Sequence, residues 1–340
     1  MNRVLVTGGA GYIGSHTVVE LMNKDYDVVV VDNLSNSSEK SLDGIEKITG
    51  KKPDFRKVEL CNFDEVQSVF NEFNDIVAVI HFAACKAVGE SIEKPLMYYK
   101  NNVFSMINLM QAISEYKNEI SLVFSSSCSV YGKPDELPVK ESFPFNKSQS
   151  PYGETKQLSE QIIVDTLKKH QHINAISLRY FNPIGAHESG FIGEAPKITN
   201  NLIPILTETA TGKRKEMYVF GNDYQTPDGT AVRDYIHVVD LAKAHLVALS
   251  RLVNKKNKSN HEAYNVGLGK AYSVLEIIKT FEKVSERKMN YKIVERREGD
   301  IAEIFADSSL IKKELGWKAE YDLDEMLKSA WLWESKYRNY

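Results

Sequence analysis

The sequence predicts an α/β fold, in which a parallel sheet carries helices on both of its faces. Over the first 180 residues, short apolar runs rich in valine and isoleucine alternate with longer stretches of helical character. Continuous apolar runs are typical of strands buried on both faces, and strand–helix alternation is typical of parallel sheets. After residue 182, long polar loops interrupt this rhythm, which indicates a second, smaller α/β lobe.

The predicted elements follow one another in a regular order. Strands are predicted at 4–6, 27–31, 55–60, 76–81, 120–125 and 175–180. Helices are predicted at 12–23, 42–48, 65–73, 95–116 and 152–170, and then at 238–252, 274–285, 310–315 and 323–335. We therefore divide the chain into a domain at 1–182 and a lobe at 183–340, with some exchange of strands and helices between them. A second ligand is expected in that lobe, at the carboxyl ends of the strands.

Composition argues against several classes of protein. The 340 residues carry 43 basic and 46 acidic side chains, so the basic surplus of a nucleic-acid binder is missing. No apolar run approaches the roughly 20 residues that cross a bilayer. The three cysteines, Cys61, Cys85 and Cys128, show no metal-ligand spacing, and so few thiols fit a reducing compartment. We expect a cytoplasmic protein without a metal site.

A glycine motif lies between the first predicted strand and the first predicted helix. Residues 7–14 read TGGAGYIG, with Gly8, Gly11 and Gly14 at three-residue intervals. Such a turn needs residues without Cβ, both for its sharpness and for a pyrophosphate to approach the backbone. The helix that follows offers unpaired N–H groups to phosphate. A glycine-rich turn without a ligand is the alternative, but the strand–turn–helix context favours a dinucleotide site of the Rossmann type.

Asp32 ends the second predicted strand, 18 residues beyond Gly14. A carboxylate at this place accepts hydrogen bonds from the adenosine ribose and repels a 2′-phosphate. The motif therefore favours NAD over NADP.

A second motif carries groups suited to proton transfer. Tyr152 and Lys156 are four residues apart at the start of a predicted helix, so both side chains lie on one face. An ammonium group beside the phenol, together with a positive nicotinamide ring, is expected to lower the tyrosine pKa. Ser127 lies in a serine cluster at the end of the preceding strand, where it can share a substrate proton. Chance occurrence on a solvated helix and a serine-rich turn are the alternatives for the two segments taken alone.

These motifs, taken together, resemble those of the extended short-chain dehydrogenase/reductases. Further blocks match, in order, the members of that family that invert C4 of UDP-hexoses: HFAACKAVGES at 81–91, FSSSCSVYG at 124–132, SPYGETK at 150–156, LRYFNPIGAH at 178–187, FGNDYQTPDGTAVRDYIHV at 220–238 and RREGD at 296–300. The blocks extend over nearly the whole chain, which makes the resemblance specific.

The resemblance implies a role for individual residues. Tyr152 is the implied base, Lys156 its electrostatic partner and Ser127 the hydroxyl that shares the proton. The implied NAD-binding residues are Gly8, Gly11, Tyr12, Ile13, Gly14, Asp32, Asn33, Asn36, Glu59, Leu60, Phe82, Ala83, Lys86, Asn101, Tyr152, Lys156 and Tyr180. The implied UDP-sugar-binding residues are Ser127, Asn182, Asn201, Leu202, Phe220, Arg233, Tyr235, Arg297, Asp300 and Ile304.

Arginine suits the implied pyrophosphate site because its guanidinium can fork onto phosphate oxygens. The alternative for Arg233 and Arg297 is a surface ion pair with the neighbouring Asp234 or Glu298.

The chain departs from the family pattern at three places. Glu59 replaces the usual aspartate beside the adenine, Ala84 and Cys85 vary a loop beside the cofactor, and Ile304 replaces a tyrosine or cysteine. In the resembling enzymes this last position faces the C2 substituent of the sugar. Isoleucine is shorter than tyrosine but stiffer than cysteine, so we expect moderate discrimination against N-acetylated sugars, unless Ile304 is a core residue.

The implied reaction interconverts UDP-galactose and UDP-glucose through a transient 4-keto sugar and enzyme-bound NADH, with weaker activity on UDP-N-acetylhexosamines. The alternatives are a main activity on the UDP-N-acetylglucosamine pair, another NAD-dependent dehydratase or decarboxylase of nucleotide sugars, or an NAD sensor without activity. Dehydratases place an Asp–Glu pair directly after the strand-end hydroxyl, where this chain has Cys128 and Ser129. The resemblance also implies a homodimer that pairs through the helices at 95–116 and 152–170.

Overall fold

The structure, a computed structural model, describes residues 2–297 and 299–337. Its strands are β1 (Arg3–Thr7), β2 (Asp27–Asp32), β3 (Asp54–Lys57), β4 (Ile76–His81), β5 (Ile120–Ser127), β6 (Ile173–Tyr180), β7 (Asn182–Ile184), β8 (Met217–Phe220), β9 (Val232–His237), β10 (His261–Val266), β11 (Ala271–Ser273), β12 (Tyr291–Val294) and β13 (Glu303–Ile304). Its α-helices are α1 (Tyr12–Met22), α2 (Lys40–Thr49), α3 (Phe63–Glu72), α4 (Val88–Glu93), α5 (Pro95–Tyr98), α6 (Phe104–Glu115), α7 (Pro151–Lys169), α8 (Leu202–Ala210), α9 (Val238–Val253), α10 (Val274–Ser285), α11 (Ser309–Leu315) and α12 (Leu323–Leu332).

Seven parallel strands form the largest sheet, in the order β10-β6-β5-β4-β1-β2-β3. The chain runs outward from β1 to β3, returns to β4 beside β1, and then runs outward on the other side. This reversal is the switch point of a Rossmann-type doubly wound sheet, and it confirms the predicted fold class. The carboxyl ends of β1 and β4 lie next to each other at this point.

Apolar clusters cover both faces of the large sheet, as strands buried on both sides require. On one face, valines and isoleucines of the sheet pack against α1, α2, α9 and α11. On the other, they pack against α3, α6 and α7. The sheet edge at which the strands end is thus held rigidly between two helical layers.

The second lobe contains two small sheets. In the first, β9 pairs with β7, β11 and β13, and in the second, β8 pairs with β12. Helices α8, α10 and α12 pack around them in a separate apolar cluster. However, α9 and β10, which come from beyond residue 182, pack on or join the large sheet. The division at residue 182 stays a prediction, and the large sheet extends across it.

The predicted helix at 95–116 is interrupted. Residues Tyr99–Val103 form a π-helical turn between α5 and α6. Such a turn accommodates one more residue than a regular α-helical turn. The turn contains Asn101, one of the expected NAD-binding residues. The predicted helix at 323–335 also changes after Leu332, where a second π-helical turn covers Trp333–Tyr337.

Candidate active site

The expected catalytic and cofactor residues converge at the carboxyl edge of the large sheet. Ser127 and Tyr180 are register partners at the ends of β5 and β6. Thr7 and His81 are partners at the ends of β1 and β4, directly before the glycine turn and Phe82. This edge is where parallel sheets of this type bind their ligands.

The glycine turn leaves no room for side chains. Gly8 has a left-handed φ of +70°, and a Cβ there would lie 2.8 Å from the backbone nitrogen of Ala83. A Cβ on Gly14 would lie 2.2 Å from the carbonyl oxygen of Gly8. Gly11 is the N-cap of α1 and makes no side-chain cap hydrogen bond. The N-terminus of α1 is therefore free of a side-chain cap and fits a pyrophosphate group.

Tyr12 and Ile13 fix the helix that follows the turn. The Tyr12 hydroxyl donates to the Gly185 carbonyl oxygen at 2.6 Å, so the start of α1 is tied to the loop after β7. Ile13 packs against the apolar cluster on its face of the sheet. Sequence reasoning gave these residues to the cofactor, and their packing links the glycine turn to the second lobe.

The carboxylate of Asp32 lies directly beside the glycine turn. One oxygen accepts from the backbone of Ala10 at 3.2 Å, and the other accepts from the backbone of Leu34 at 2.9 Å and from Ser37 Oγ at 2.8 Å. Asp32 is 8% exposed. In Rossmann folds, a carboxylate at the end of this strand hydrogen-bonds the ribose of the dinucleotide.

Asn33 and Glu59 form one cluster where the adenine of NAD is expected. Asn33 Nδ2 donates to Glu59 Oε2 at 2.9 Å, and the backbone of Cys61 donates to Glu59 Oε1 at 3.0 Å. Burial opposes ionisation of Glu59, but these hydrogen bonds outweigh it and lower the pKa of the carboxyl. Leu60 is buried beside them, whereas Asn36 lies exposed on the loop after β2.

Tyr152 and Lys156 lie on the first turns of α7, with Ser150 capping the helix. Ser150 Oγ accepts from the backbone of Gly153 at 3.2 Å, and Pro151 occupies the first turn. The Lys156 ammonium group lies 5.9 Å from the centroid of the Tyr152 ring and donates to the Ser125 carbonyl oxygen at 2.7 Å. The helix therefore presents both groups to the end of β5.

The electrostatics of Tyr152 differ from the expectation. Burial raises the pKa of the phenol well above its usual value, and a hydrogen bond with Ser127 opposes this rise only in part. Burial also lowers the pKa of Lys156 to about 7. The expected lowering at Tyr152 is thus not produced by the chain's own residues, because the site is drier than a helix surface.

The three serines at the end of β5 alternate between the two faces of the sheet and contact different partners. Ser125 Oγ shares a short hydrogen bond with the Tyr180 hydroxyl. Ser127 Oγ accepts from the backbone of Ser129 at 3.2 Å, which fixes the hydroxyl beside Tyr152. Ser126, between them, donates to the buried carboxylate of Glu160. Ser127 is thus held at the strand end by a hydrogen bond that its oxygen accepts.

The expected arginine pair meets at Asp300. Arg297 donates to both carboxylate oxygens of Asp300 at 3.2 Å, and Arg233 Nη2 lies 3.8 Å from Asp300 Oδ1. Arg297 also lies over the Phe220 ring, 5.3 Å from its centroid. Four expected substrate residues therefore form one cluster.

The alternative partner of Arg233, the neighbouring Asp234, makes other contacts. Asp234 accepts hydrogen bonds from the backbones of Leu268, Gly269 and Ala306 instead. Glu298 lies outside the described residues.

This cluster lies close to the catalytic end of α7. The charge of Arg233 acts on Cys128, the residue after Ser127. A Cβ on Gly299, beside Asp300, would come within 3.4 Å of the Gln149 carbonyl oxygen, just before α7. Tyr235 is buried two residues along β9 from Arg233, and β9 pairs there with Asn182.

Glu194 connects Lys86, an expected NAD-binding residue, with Asn201, an expected UDP-sugar-binding residue. Its Oε1 accepts from Lys86 Nζ at 3.2 Å and from Asn201 Nδ2 at 2.9 Å. Asn201 is the N-cap of α8, and Leu202 begins that helix. Sequence reasoning missed Glu194, since it lies in a long loop without a motif.

Ile304 is placed in the core. It is 3% exposed and packs with Val130, Tyr131, Val139 and Phe181. Through its register partner Arg233 it still lies under the substrate cluster. The structure gives Ile304 the surroundings of the core alternative, and its influence on the sugar stays a prediction.

A Rossmann-type sheet with a glycine turn, a strand-end serine and a Tyr-Lys pair on one helix defines an extended short-chain dehydrogenase/reductase. The family model described as GDP-mannose 4,6 dehydratase matches residues 5–330. The UDP-glucose 4-epimerase of Dictyostelium discoideum is 51% identical over 335 residues, which cover 98% of this chain and 96% of the relative. That of Bacillus subtilis is 51% identical over 333 residues, covering 98% and 96%.

Solved structures agree with these relatives. UDP-glucose 4-epimerase from Bifidobacterium longum, in complex with NAD+ and UDP, is 47% identical and aligns with a TM-score of 0.94 over 98% of both chains. The chain belongs to the UDP-glucose 4-epimerase family.

Proposed function

We propose that this protein interconverts UDP-galactose and UDP-glucose by inverting C4 of the sugar. The observation that carries the proposal is the placement of Ser127, Tyr152 and Lys156 at one sheet edge, beside the glycine turn. This arrangement occurs in a chain that is about half identical to UDP-glucose 4-epimerases over nearly its whole length.

The cofactor that fits the site is NAD. Gly8 and Gly14 permit a tight turn in which a Cβ would clash with the backbone, the N-terminus of α1 beside it has no side-chain cap, and Asp32 accepts a hydrogen bond from Ala10 in the same turn. Bound NAD supplies a hydride acceptor and a positive ring beside the reacting carbon. The residues that would hold it are those of the glycine turn with Asp32, Asn33, Phe82, Lys86 and Lys156.

The chain's own residues move the proton. Tyr152 takes the proton of the 4-hydroxyl and returns it after the 4-keto sugar has presented its other face. Ser127 hydrogen-bonds the same oxygen and shares the proton, as its contact with Tyr152 permits. Lys156, held by the Ser125 carbonyl, stabilises the tyrosine when it is charged.

The cluster of Phe220, Arg233, Arg297 and Asp300 fits the nucleotide part of the substrate. Two guanidinium groups can bind a pyrophosphate, and an aromatic ring provides a flat surface beside them. A firm hold on UDP leaves the hexose able to turn, which inversion through a 4-keto sugar requires.

Elimination of water from the sugar is disfavoured. A dehydratase needs an additional acid and base next to the strand-end hydroxyl, and here those positions carry Cys128 and Ser129. Burial raises the pKa of Cys128 to about 12, so this thiol is a poor acid at neutral pH.

We further propose a homodimer in the cytoplasm. Five large apolar side chains are exposed on α5, α6 and α7, and both α5 and α6 contact α7: Leu96, Met97, Phe104, Ile107 and Leu158. Exposed apolar residues grouped on neighbouring helices favour pairing with a second copy.

No described helix is long and apolar enough to cross a membrane. The three cysteines are unpaired, which fits a reducing compartment.

The direct test is product identification from two substrates, supplied separately. With UDP-galactose the protein should yield UDP-glucose, and with UDP-N-acetylgalactosamine it should yield the epimer more slowly. Release of a 4-keto-6-deoxy sugar, or no conversion of either substrate by protein with bound NAD, would rule out the proposal.

A further inference from the structure

A third charged residue continues the catalytic face of α7. Glu160 follows Lys156 by four residues, as Lys156 follows Tyr152, so the three side chains lie along one side of the helix. Glu160 is 3% exposed and Lys156 is 5% exposed. A buried carboxylate and a buried ammonium group therefore lie one helical turn apart.

The position of the Glu160 carboxylate is fixed by neighbouring strands. Arg179 on β6 binds it with a fork, from Nε to Oε1 at 3.0 Å and from Nη2 to Oε2 at 2.7 Å. Ser126 on β5 donates to the same Oε1, and Ser126 is the register partner of Arg179. Such bidentate bonds restrict a carboxylate more than a single contact does.

Arg179 is itself held from its far side. Its Nη1 donates to the Tyr131 hydroxyl and to the Glu141 carbonyl oxygen, each at 3.1 Å. Tyr131 donates in turn to Asn265 at 2.7 Å. The negative charge of Glu160 is thus fixed in place within a buried network.

Lys156 needs such a charge. Its ammonium group donates to the Ser125 carbonyl, a neutral acceptor, and is otherwise surrounded by the rings of Phe124 and Tyr152. An ammonium ion removed from water loses its proton unless a negative charge compensates. We propose that Glu160, fixed by Arg179, is a positioning residue that keeps Lys156 protonated and so sets the alkaline limit of turnover.

The other groups around Lys156 do not provide this charge. On β4, burial and the charge of Lys156 lower the pKa of His81 to about 3, so that ring is neutral in the working range. On α7, burial raises the pKa of Tyr152, and the phenol is neutral whenever it holds the proton. On β6, Arg179 is positive and bound to Glu160. Burial lowers the pKa of Lys156 and Glu160 raises it.

The inference rests on the proposed function. The direction of the expected shift in the alkaline limit of kcat follows from the charge that is removed. Removing the negative charge lowers the pKa of Lys156, so the ammonium form is lost at a lower pH. In Glu160→Gln the alkaline limb of the kcat–pH profile should move down by about one pH unit. Above the wild-type limit this corresponds to roughly a tenfold loss of kcat. KM for UDP-galactose and the NAD content should stay unchanged.

Glu262→Gln is the matched control. Glu262 is also a glutamate forked by an arginine, with Arg251 Nε to Oε2 at 2.6 Å and Nη2 to Oε1 at 3.0 Å, and its side chain is 9% exposed. Its loss should reduce stability in the same way but leave the alkaline limit at the wild-type pH. Equal shifts in both variants, or an unchanged limit in an active Glu160→Gln enzyme, would overturn the proposal.

A second measurement serves if Glu160→Gln does not fold. In wild-type protein with 13C-labelled lysine, the Lys156 signal is assigned by its loss in Lys156→Arg and followed against pH. The proposal requires that Lys156 titrates at the alkaline limit of kcat, and titration more than about two units away overturns it. Lack of epimerisation in wild type and control alike would instead refute the proposed function, which keeps the two failures distinct.

Discussion

At the scale of single residues, Tyr152 depends most strongly on its surroundings. Burial raises the pKa of its phenol, Ser127 opposes the rise, and Lys156 lies close to the ring. Without a bound ligand the phenol is therefore protonated, and it takes the substrate proton only as the phenolate, beside Lys156 and the Ser127 hydroxyl that can relay the proton. Turnover should depend on this hydroxyl far more than the fold does.

Tyr152→Phe should lose roughly 10²- to 10⁴-fold in kcat, which is the usual contribution of a general acid–base group. The change removes one oxygen, so the circular dichroism spectrum and the NAD content should stay close to wild type. Tyr116→Phe is a suitable control, because the Tyr116 hydroxyl bonds the backbones of Phe73 and Ile76 at the opposite edge of the sheet. Similar kcat values in the two variants would remove Tyr152 from the mechanism.

Ile304 tests how a core position influences specificity. It packs beneath Arg233 and is nearly inaccessible, so a larger side chain costs about 1–3 kcal/mol or rotates toward the sugar. Relative to the glucose pair, Ile304→Cys should raise the activity on the N-acetylated pair and Ile304→Tyr should lower it. Unchanged ratios of the two activities in both variants would assign Ile304 to the core alone.

Local motifs pointed to the candidate reactive residues, whereas they gave no sign of the residues proposed to support them. Gly8, Asp32, Tyr152 and Lys156 stand in short patterns whose spacing has a chemical reason. Glu160 and Arg179 are 19 positions apart and meet only because α7 packs on β6. Such a contact is set by tertiary packing and leaves no periodic signal in the sequence.

At the level of secondary structure, we expect the strand–turn–helix unit of β1 and α1 to be the element most easily disrupted by one added carbon atom. Gly14→Ala would place a Cβ 2.2 Å from the Gly8 carbonyl oxygen, which belongs to the tight backbone turn. We expect loss of bound NAD and a lower melting temperature. Gly89→Ala in α4 is the control, because a Cβ there meets no atom within 4 Å, and it should leave both properties at wild-type values. Retention of NAD by Gly14→Ala would contradict the assignment of the turn.

Element types were predictable where periodicity and caps agree. Helix α7 was predicted at 152–170 and observed at Pro151–Lys169, because Ser150 and Pro151 mark its start. The π-helical turn at Tyr99–Val103 could not be predicted, since one extra residue within a helix barely alters the apolar pattern. Helix α8 was missed because Pro204 lies in its first turn, a position that suits proline but interrupts the pattern.

At the scale of the whole molecule, one large sheet positions two binding regions. Its carboxyl edge carries the proposed cofactor-binding and catalytic residues, and β9 of the second lobe carries Arg233 and Tyr235, which are proposed to bind the substrate. Tyr12 and Glu194 connect the two regions through Gly185, Lys86 and Asn201. A substrate that touches both regions is thereby held against the sheet edge.

The proposed dimer provides a prediction at this scale. Phe104, 54% exposed on α6, lies within the apolar group of α5, α6 and α7, so a charge there should weaken pairing. Light scattering should give a dimer for wild type and a monomer for Phe104→Asp. Ile198→Asp is the control, since Ile198 is 72% exposed in the second lobe, and it should remain dimeric. A monomeric wild-type protein would contradict the proposal.

The central claim is that C4 loses and regains its own hydrogen within a closed site. Epimerisation of UDP-galactose in D2O, followed by NMR of the product, measures this directly. We expect UDP-glucose without deuterium at C4, because only the hydroxyl proton passes through Tyr152 and Ser127 to water. Deuterium from the solvent at C4 would show deprotonation of the carbon and would rule out hydride transfer to and from NAD.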